Sequence, residues 1–319
     1  MPELRKLGST GLSVAPLVVG GNVFGWTIDE ATSFAVLDAF VDAGATMIDT
    51  ADVYYAFAPG NVGGESETII GKWMKARGNR ADVQIATKVG LLAIDGDKGL
   101  KPSIIIAGIE QSLRRLQTDY IDLYYAHFDD DCATQEAVAE AFDGLVRAGK
   151  VRALGASNFS QDRLASALAL SEAKGLARYG ALQQQFNLMA EDSFPADYRA
   201  FCIEQQVGGL AYFGLASGFL TGKYRSAGQV AGSRREHSLK HFFTPRGDAV
   251  LAALDGIAAE TGTTQAQIAL AWIFATPGLT GALASATSVA QVESLIPAME
   301  LALDAEQMRR LNEAAATPS

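Results

Sequence analysis

The stretch "IDLYYAHFDDDCATQEAVAEAFDGLVRAGKVRALGAS", Ile121 to Ser157, decides how the chain folds. It opens on a short apolar run, "IDLYYA", passes through a polar patch and enters a helix-period segment, "QEAVAEAFDGLVRAGK". A second short apolar run, "VRALGAS", closes it. Two strand-like runs separated by a helix cannot be hairpin partners and instead lie parallel, with the helix crossing over one face. Further apolar runs flank this unit: "LVVGG" from Leu17, "ATMID" from Ala45 and "VQIAT" from Val83 before it. After it come "ALQQQF" from Ala181, "GGLAYF" from Gly208 and "LTGALA" from Leu279, making eight strand candidates in all. Helical patterns fill the gaps: "DEATSFAVLDAFVDAG", "ESETIIGKWMKARG", "IIIAGIEQSLRRL", "SQDRLASALALSEAKG" and "DAVLAALDGIAAETG".

Eight strand–helix repeats in 319 residues predict an α/β fold, a closed (β/α)8 barrel of the TIM type, ahead of a doubly wound open sheet. No linker or low-complexity tract divides the chain, so residues 1–319 are read as a single domain. "LRKLGSTGLSV" reads as an N-terminal β-hairpin turned at Ser9 to Gly11, and "LDAEQMRRLNEAAATPS" as a C-terminal helix that frays. A long, glycine-rich, basic loop is expected after the seventh strand, between Tyr212 and Asp248.

With 49% hydrophobic and 19% charged residues the chain can fill a large core. Its formal charge of −10 argues against nucleic-acid or anionic-membrane partners, which need a basic surface. The uncharged stretch from Ile268 to Gln291 is broken by Pro277-Gly278 and Thr280-Gly281, so it reads as a buried helix followed by a buried strand. Cys132 and Cys202 stand in unrelated contexts and are read as reduced thiols, and His127, His237 and His241 have no metal-site spacing. With no apolar leader at the N-terminus, the expectation is a soluble, cytoplasmic protein without a resident metal.

Active sites of such barrels form at the C-terminal ends of the strands. Asp49 ends the second strand and leads to Tyr54, Lys88 ends the third, and His127 follows the fourth. Ser157-Asn158, Gln183, Tyr212 and Ser285 stand at the ends of strands five to eight. Each alone has an ordinary reading: a solvated lysine, a hydrogen-bonded histidine, a tyrosine packing at the rim. His127 shares strand parity with Leu123 and Tyr125 and is expected to point inward. Together, an acid, a phenol, an ammonium and an imidazole suit protonation of an oxygen as charge develops on it. The ammonium is expected to lower the Tyr54 pKa and the carboxylate to hold the lysine in place. Carbonyl reduction needs such a site plus a hydride donor, which protein side chains do not supply.

At this point the chain resembles the aldo-keto reductase superfamily over nearly its whole length. The matching segments are "MIDTADVYY", "GGESETIIGKWM", "QIATKVG", "SLRRLQTDYIDLYYAHFDD", "LVRAGKVRALGASNFS", "QQQFNLM" and "GFLTGKY". The resemblance implies a (β/α)8 barrel that reduces aldehydes and ketones with NADPH, through a tetrad mapping to Asp49, Tyr54, Lys88 and His127. It implies further that Ser157, Asn158 and Gln183 bond the nicotinamide amide and that Tyr212 stacks on the ring. Leu215, Ser217, Lys223 and Arg234 are implied at the pyrophosphate, with a buried-core role open for Leu215. Ser285, Thr287 and Gln291 are implied near the adenosine 2′-phosphate.

"SGFLTGKY" imitates a P-loop, but it lacks the leading glycine and carries Tyr224 where a hydroxyl residue belongs, so no triphosphate site is read there. Two departures from the family pattern stand out. "YFGL" replaces Tyr-Ser-Pro-Leu after the seventh strand, which suggests a looser start to the loop. Ser285 and Gln291 stand where relatives place a lysine and an arginine, so NADH is an alternative to NADPH. Phe24, Trp26, Tyr55, Phe57 and Phe128 are candidates for an aromatic substrate mouth, or for core and rim packing. Asp129-Asp130 either discourages anionic substrates or is solvated loop charge, and Asp52 reads as a loop residue making local backbone hydrogen bonds. A cofactor-sensing binding protein, as the channel-associated β-subunits of the superfamily are, is the rival to a small-molecule carbonyl reductase. An unrelated barrel lyase or isomerase is the third reading. Oligomeric state is not legible.

Overall fold

The computed structural model describes residues 2–232 and 236–318. Strands β1 (Arg5–Lys6) and β2 (Ser13–Val14) form an antiparallel hairpin. The chain then alternates: β3 (Leu17–Gly20), α1 (Glu30–Asp42), β4 (Met47–Asp49), α2 (Glu65–Arg77), β5 (Gln84–Val89), α3 (Pro102–Leu116) and β6 (Ile121–Ala126). It continues through α4 (Gln135–Arg147), β7 (Val151–Ser157), α5 (Gln161–Lys174), β8 (Tyr179–Gln185), α6 (Ala196–Glu204) and β9 (Gly208–Tyr212). Helices α7 (Glu236–Leu239), α8 (Pro245–Thr261) and α9 (Gln265–Ala275) precede β10 (Leu279–Ala284), and α10 (Val289–Leu295) and α11 (Ala305–Ala315) follow it. All eight pairings from β3 round to β10 are parallel, and β10 closes on β3. The α/β barrel read from the sequence is therefore the fold.

Local chemistry explains the boundaries. Asp29, Thr134 and Ser160 cap α1, α4 and α5 by accepting hydrogen bonds from backbone amides three residues on. Helices α9 and α11 begin with full capping boxes, Thr264 with Gln267 and Asp304 with Gln307. The stretch from Ile268 divides into α9 and β10, and no helix among the described residues is long and apolar enough to cross a membrane.

Two apolar layers follow from strand parity. One face of the sheet packs against the surrounding helices through residues such as Ile48, Ile85, Tyr124 and Leu182. The other fills the barrel with Val18, Met47, Ala86, Leu123, Tyr125, Ala153, Ala181 and Leu210. Leu7 and Val14 of the hairpin join this inner cluster, so β1–β2 plugs the N-terminal end of the barrel. The plug fits because Gly8, at φ +52°, lies where a Cβ would come within 2.3 Å of the Gly180 carbonyl and the Gly208 amide. With that end closed, the open end is the one where the strands finish.

The segment after β9 is more structured than a plain loop. It carries 3₁₀ turns at Ala216–Thr221, Ala227–Gln229 and Lys240–Phe242 as well as α7. Helix α8 begins three residues ahead of its expected start, at Pro245, because Thr244 caps it by accepting from the Gly247 amide. Phe213 starts the segment at φ +55°, yet its carbonyl accepts from Asn187 Nδ2 (2.9 Å) and from the Ala216 amide (2.7 Å). The turn is thus tied down where the sequence suggested looseness.

Candidate active site

The inner parity of the strands, extended one step toward their C-terminal ends, builds a polar layer. Met47 is followed at i+2 by Asp49, Ala86 by Lys88 and Tyr125 by His127; Gly155 is followed by Ser157, Ala181 by Gln183 and Leu210 by Tyr212. These side chains converge on the barrel mouth because period two keeps them on the inner face.

Lys88 and Asp49 are essentially fully buried, at 1% and 0% exposure. Lys88 Nζ donates to Asp49 Oδ1 (2.5 Å), to the Thr50 carbonyl (2.8 Å) and to the Tyr54 hydroxyl (2.8 Å). Tyr54 Oη donates to Asp49 Oδ1 (3.0 Å), and Gln183 Nε2 donates to Asp49 Oδ2 (2.8 Å). The loop that presents Tyr54 is pinned at both ends. The Thr50 amide extends the ladder to the Ala86 carbonyl (2.8 Å), and Thr50 Oγ1 pairs with Ser66 Oγ (2.8 Å), which donates to the Gly21 carbonyl (2.8 Å).

Burial lowers the Lys88 pKa, and Asp49 works against that shift. Tyr54 is held well above the ordinary tyrosine value, first by burial and then by the Asp49 carboxylate that accepts its hydrogen bond. This reverses the expected direction: burial and the carboxylate 3.0 Å away together outweigh the ammonium at 2.8 Å, so the phenol is neutral through the physiological range. His127 is 9% exposed, and its ring centroid lies 6.3 Å from that of Tyr54. Burial, then the Lys88 charge, pushes its pKa well below the ordinary imidazole value. Its buried Nδ1 has no partner, so the neutral ring can carry its proton on Nε2 and donate from there.

Asn158, at φ +59°, ties three strand ends together. Its amide nitrogen donates to the His127 carbonyl (3.1 Å) and to Ser157 Oγ (3.0 Å), and its oxygen accepts from Tyr212 Oη (2.6 Å). Ser157, Gln183 and Tyr212 therefore lie at the same barrel mouth as Asp49, Lys88 and His127, with Gln183 committed through Nε2 to Asp49.

Beyond Tyr212, a recess of about 490 Å³ lies between the turn after β9 and the α7 region. Gln185, Asn187, Phe213 and Ser217 form one wall, and His237, Lys240 and His241 form another. These three basic side chains were not picked out from the sequence. The only signal was a basic bias in an aperiodic segment, and neither their facing wall nor the recess is visible before the segment folds back. Leu215 packs against the core, and Lys223 is exposed beside Tyr224. Arg234 lies outside the described residues. At the end of β10, Ser285 Oγ donates to Asn22 Oδ1, and Gln291 Oε1 accepts from the Thr287 amide (2.8 Å) and hydroxyl (3.1 Å).

Four of the five aromatic candidates gather at the mouth. Trp26 stacks on Tyr55 with ring centroids 3.6 Å apart, Phe57 lies 5.2 Å from Tyr55, and Phe128 stacks on His127 at 5.7 Å. Phe213, half-exposed, meets Tyr212 edge-on at 5.2 Å between ring centroids, at the end of β9. Phe24 does not gather there: at 2% exposure it belongs to the core. The acids are structural. Asp129 pairs with Arg163 through both oxygens (2.7 and 2.9 Å), and Asp130 accepts from the Leu100 and Cys132 amides. Asp52 departs from its reading as an ordinary loop residue. Its carboxylate is buried, and neither oxygen has a hydrogen-bond partner beyond a weak backbone contact from Val53.

Comparisons with known proteins bear on the family. A family model described as "Aldo/keto reductase family" matches residues 16–316. The chain is 34% identical to "Uncharacterized oxidoreductase YrpG" of Bacillus subtilis (strain 168), over 98% of this chain and 95% of that protein. It is 32% identical to "Aldo-keto reductase YhdN" of the same organism, over 97% and 92% of the two chains. It is also 30% identical to "Probable voltage-gated potassium channel subunit beta" of Oryza sativa subsp. japonica, over 94% and 92%.

Proposed function

Because the chain belongs to the aldo/keto reductase family, we propose that it reduces an aldehyde or ketone to the alcohol with NADPH, Tyr54 giving the proton. The observation that carries this reading is the Lys88 ammonium seated between Asp49 and Tyr54 at the open end of the barrel. A bound reduced nicotinamide supplies the hydride that the side chains lack.

The side chains do the rest. Neutral His127 donates from Nε2 to the carbonyl oxygen and fixes its position above Tyr54. As negative charge develops on that oxygen, Tyr54 Oη transfers its proton. Lys88, 2.8 Å away, stabilises the phenolate left behind, and Asp49 keeps Lys88 charged despite its burial.

Tyr212, Ser157, Asn158 and Gln183 fit the nicotinamide end of the cofactor. The recess fits its diphosphate, with Ser217, His237, Lys240 and His241 as the lining; Lys223 stands on the same segment. The segment from Ser285 to Gln291 offers hydroxyls and an amide but no cation to a 2′-phosphate. We therefore expect a modest preference for NADPH over NADH. The collar of Trp26, Tyr55, Phe57 and Phe128 favours aromatic or extended apolar carbonyl compounds. A panel of such aldehydes, followed through NADPH absorbance, tests the assignment. Tight NADPH binding with no turnover across the panel would make the protein a cofactor sensor instead.

A further inference from the structure

Asp52 is 1% exposed, and both of its carboxylate oxygens lack partners of hydrogen-bond geometry. Its backbone amide donates to the Lys88 carbonyl (3.3 Å), which fixes it against β5. Strand parity separates its surroundings from the site itself. Lys88 points into the barrel, whereas Thr87 and Tyr124 point outward, toward the layer covered by α2 and α3. In that layer Glu67, fully buried on α2, accepts from Thr87 Oγ1 (2.7 Å) and from Arg115 Nε (2.6 Å) of α3. The Tyr124 hydroxyl on β6 is buried without a partner, and Asp52 is the charge that acts on it most.

Two carboxyl groups thus share one dry layer with one guanidinium. Glu67 holds the guanidinium through one oxygen and a hydroxyl through the other. A second ionised carboxylate beside it would be a buried, unbonded charge facing a like charge, which is the costlier state. Burial and Glu67 together push the Asp52 pKa up to about 8, with Arg115 and Lys88 pulling the other way. Asp52 and Glu67 in turn both favour the charged form of Lys88, which burial disfavours.

We propose that Asp52 is a positioning residue for Lys88: a neutral acid at physiological pH, whose ionisation in alkaline solution keeps the lysine charged. The proton it releases goes to solvent, and the new negative charge offsets the tendency of buried Lys88 to lose its own proton. At neutral pH Asp49 alone suffices as the counter-ion. Above the Asp52 transition a second carboxylate supports Lys88 from behind β5, and the ammonium beside Tyr54 persists to higher pH. The charged and titratable groups facing Asp52 are Glu67 from α2, Arg115 from α3, Lys88 from β5 and Tyr124 from β6. The kinetic consequence rests on the Tyr54–Lys88 reading above; the protonation state does not.

Two measurements test this. Infrared difference spectra of the resting wild-type protein should show a protonated-carboxyl band that disappears on titration through about pH 8, where burial and Glu67 place the Asp52 transition. That band should be missing from Asp52→Asn. A wild-type protein without the band at pH 6 overturns the proposal, and this arm needs neither turnover nor a folded variant. In the kinetic arm, the alkaline fall of kcat should move about one pH unit lower in Asp52→Asn. KM and neutral-pH kcat should stay within about twofold, and Asp52→Glu should move the limb back. Superimposable alkaline limbs for wild type and Asp52→Asn overturn the link to Lys88. If no substrate turns over at all, the function proposed above fails, and the infrared titration still decides the state of Asp52.

Discussion

Asp49, Tyr54, Lys88 and His127 are ordinary residue types, and their chemistry comes from what surrounds each one. His127 could be read from the sequence as inward-pointing from its strand parity with Leu123 and Tyr125, whereas Lys88, alone an ordinary solvated lysine, proves to lie on the inner face with Ala86. The direction of the Tyr54 shift cannot be read that way. It depends first on how deeply the phenol is buried and then on Asp49 Oδ1, which lies 3.0 Å from the hydroxyl against 2.8 Å for the ammonium. Asp52 was equally hidden, since "DTADVYY" does not disclose that Glu67 will arrive from a helix and deny it a counter-charge. Its raised pKa carries a stability prediction as well. A group protonated in the folded state and ionised in the unfolded chain gives its full stabilisation below the unfolded value and loses it as pH rises through the folded one. Between pH 4 and about 8 the wild type should therefore lose stability relative to Asp52→Asn. The loss is on the order of 1.4 kcal/mol per pH unit at most. Urea unfolding of both proteins at pH 5 and pH 7.5 measures it, and parallel pH dependences would show that Asp52 is already ionised.

At the scale of elements, the eight strands were legible because most are short apolar runs that alternate with longer helix-period segments. Even the Ile121 and Val151 strands fall where the apolar runs do. Helices α6 and α10 were not legible. The first has nine residues after Pro195 with little apolar periodicity, and the second has seven, too few turns for a pattern to establish itself. The recess behind Tyr212 was invisible for a different reason: it is made by the α7 segment folding back across the turn after β9, a tertiary event with no local code. If that recess holds the diphosphate, Lys240→Ala combined with His241→Ala should weaken NADPH and NADH alike, by roughly tenfold. Weakening of NADPH alone, measured by fluorescence titration, would assign the two side chains to the 2′-phosphate instead. Gly155 is an element-scale position of another kind. A Cβ there would lie 2.4 Å from the Tyr125 ring, which itself lies beneath Lys88. Gly155→Ala should cost about 1–3 kcal/mol in thermal unfolding and should lower turnover, because the displaced ring moves the floor of the site. An unchanged melting temperature would mean that the inner layer is looser than described.

For the molecule as a whole, barrel closure decides where chemistry is possible. The hairpin blocks one end, the inner apolar layer fills the middle, and polar side chains of inner parity can meet only where the strands finish. The chain carries a formal charge of −10, yet the recess beside the mouth is lined on one side by Lys240 with His237 and His241 and has no acidic residue in its lining among the described residues. That contrast suits an anionic cofactor entering an otherwise repelling surface. The aromatic collar beside it suits an apolar carbonyl partner. The central claim is that Tyr54 gives the proton while other residues hold the cofactor, and single-turnover kinetics tests it most directly. NADPH oxidation by an aromatic aldehyde should be followed by stopped flow in wild type and Tyr54→Phe, with Trp26 at the mouth reporting cofactor binding. The account predicts at least a ~100-fold loss in the hydride-transfer rate, with the NADPH dissociation constant changed less than about threefold. A Tyr54→Phe protein that transfers hydride at close to the wild-type rate would contradict it.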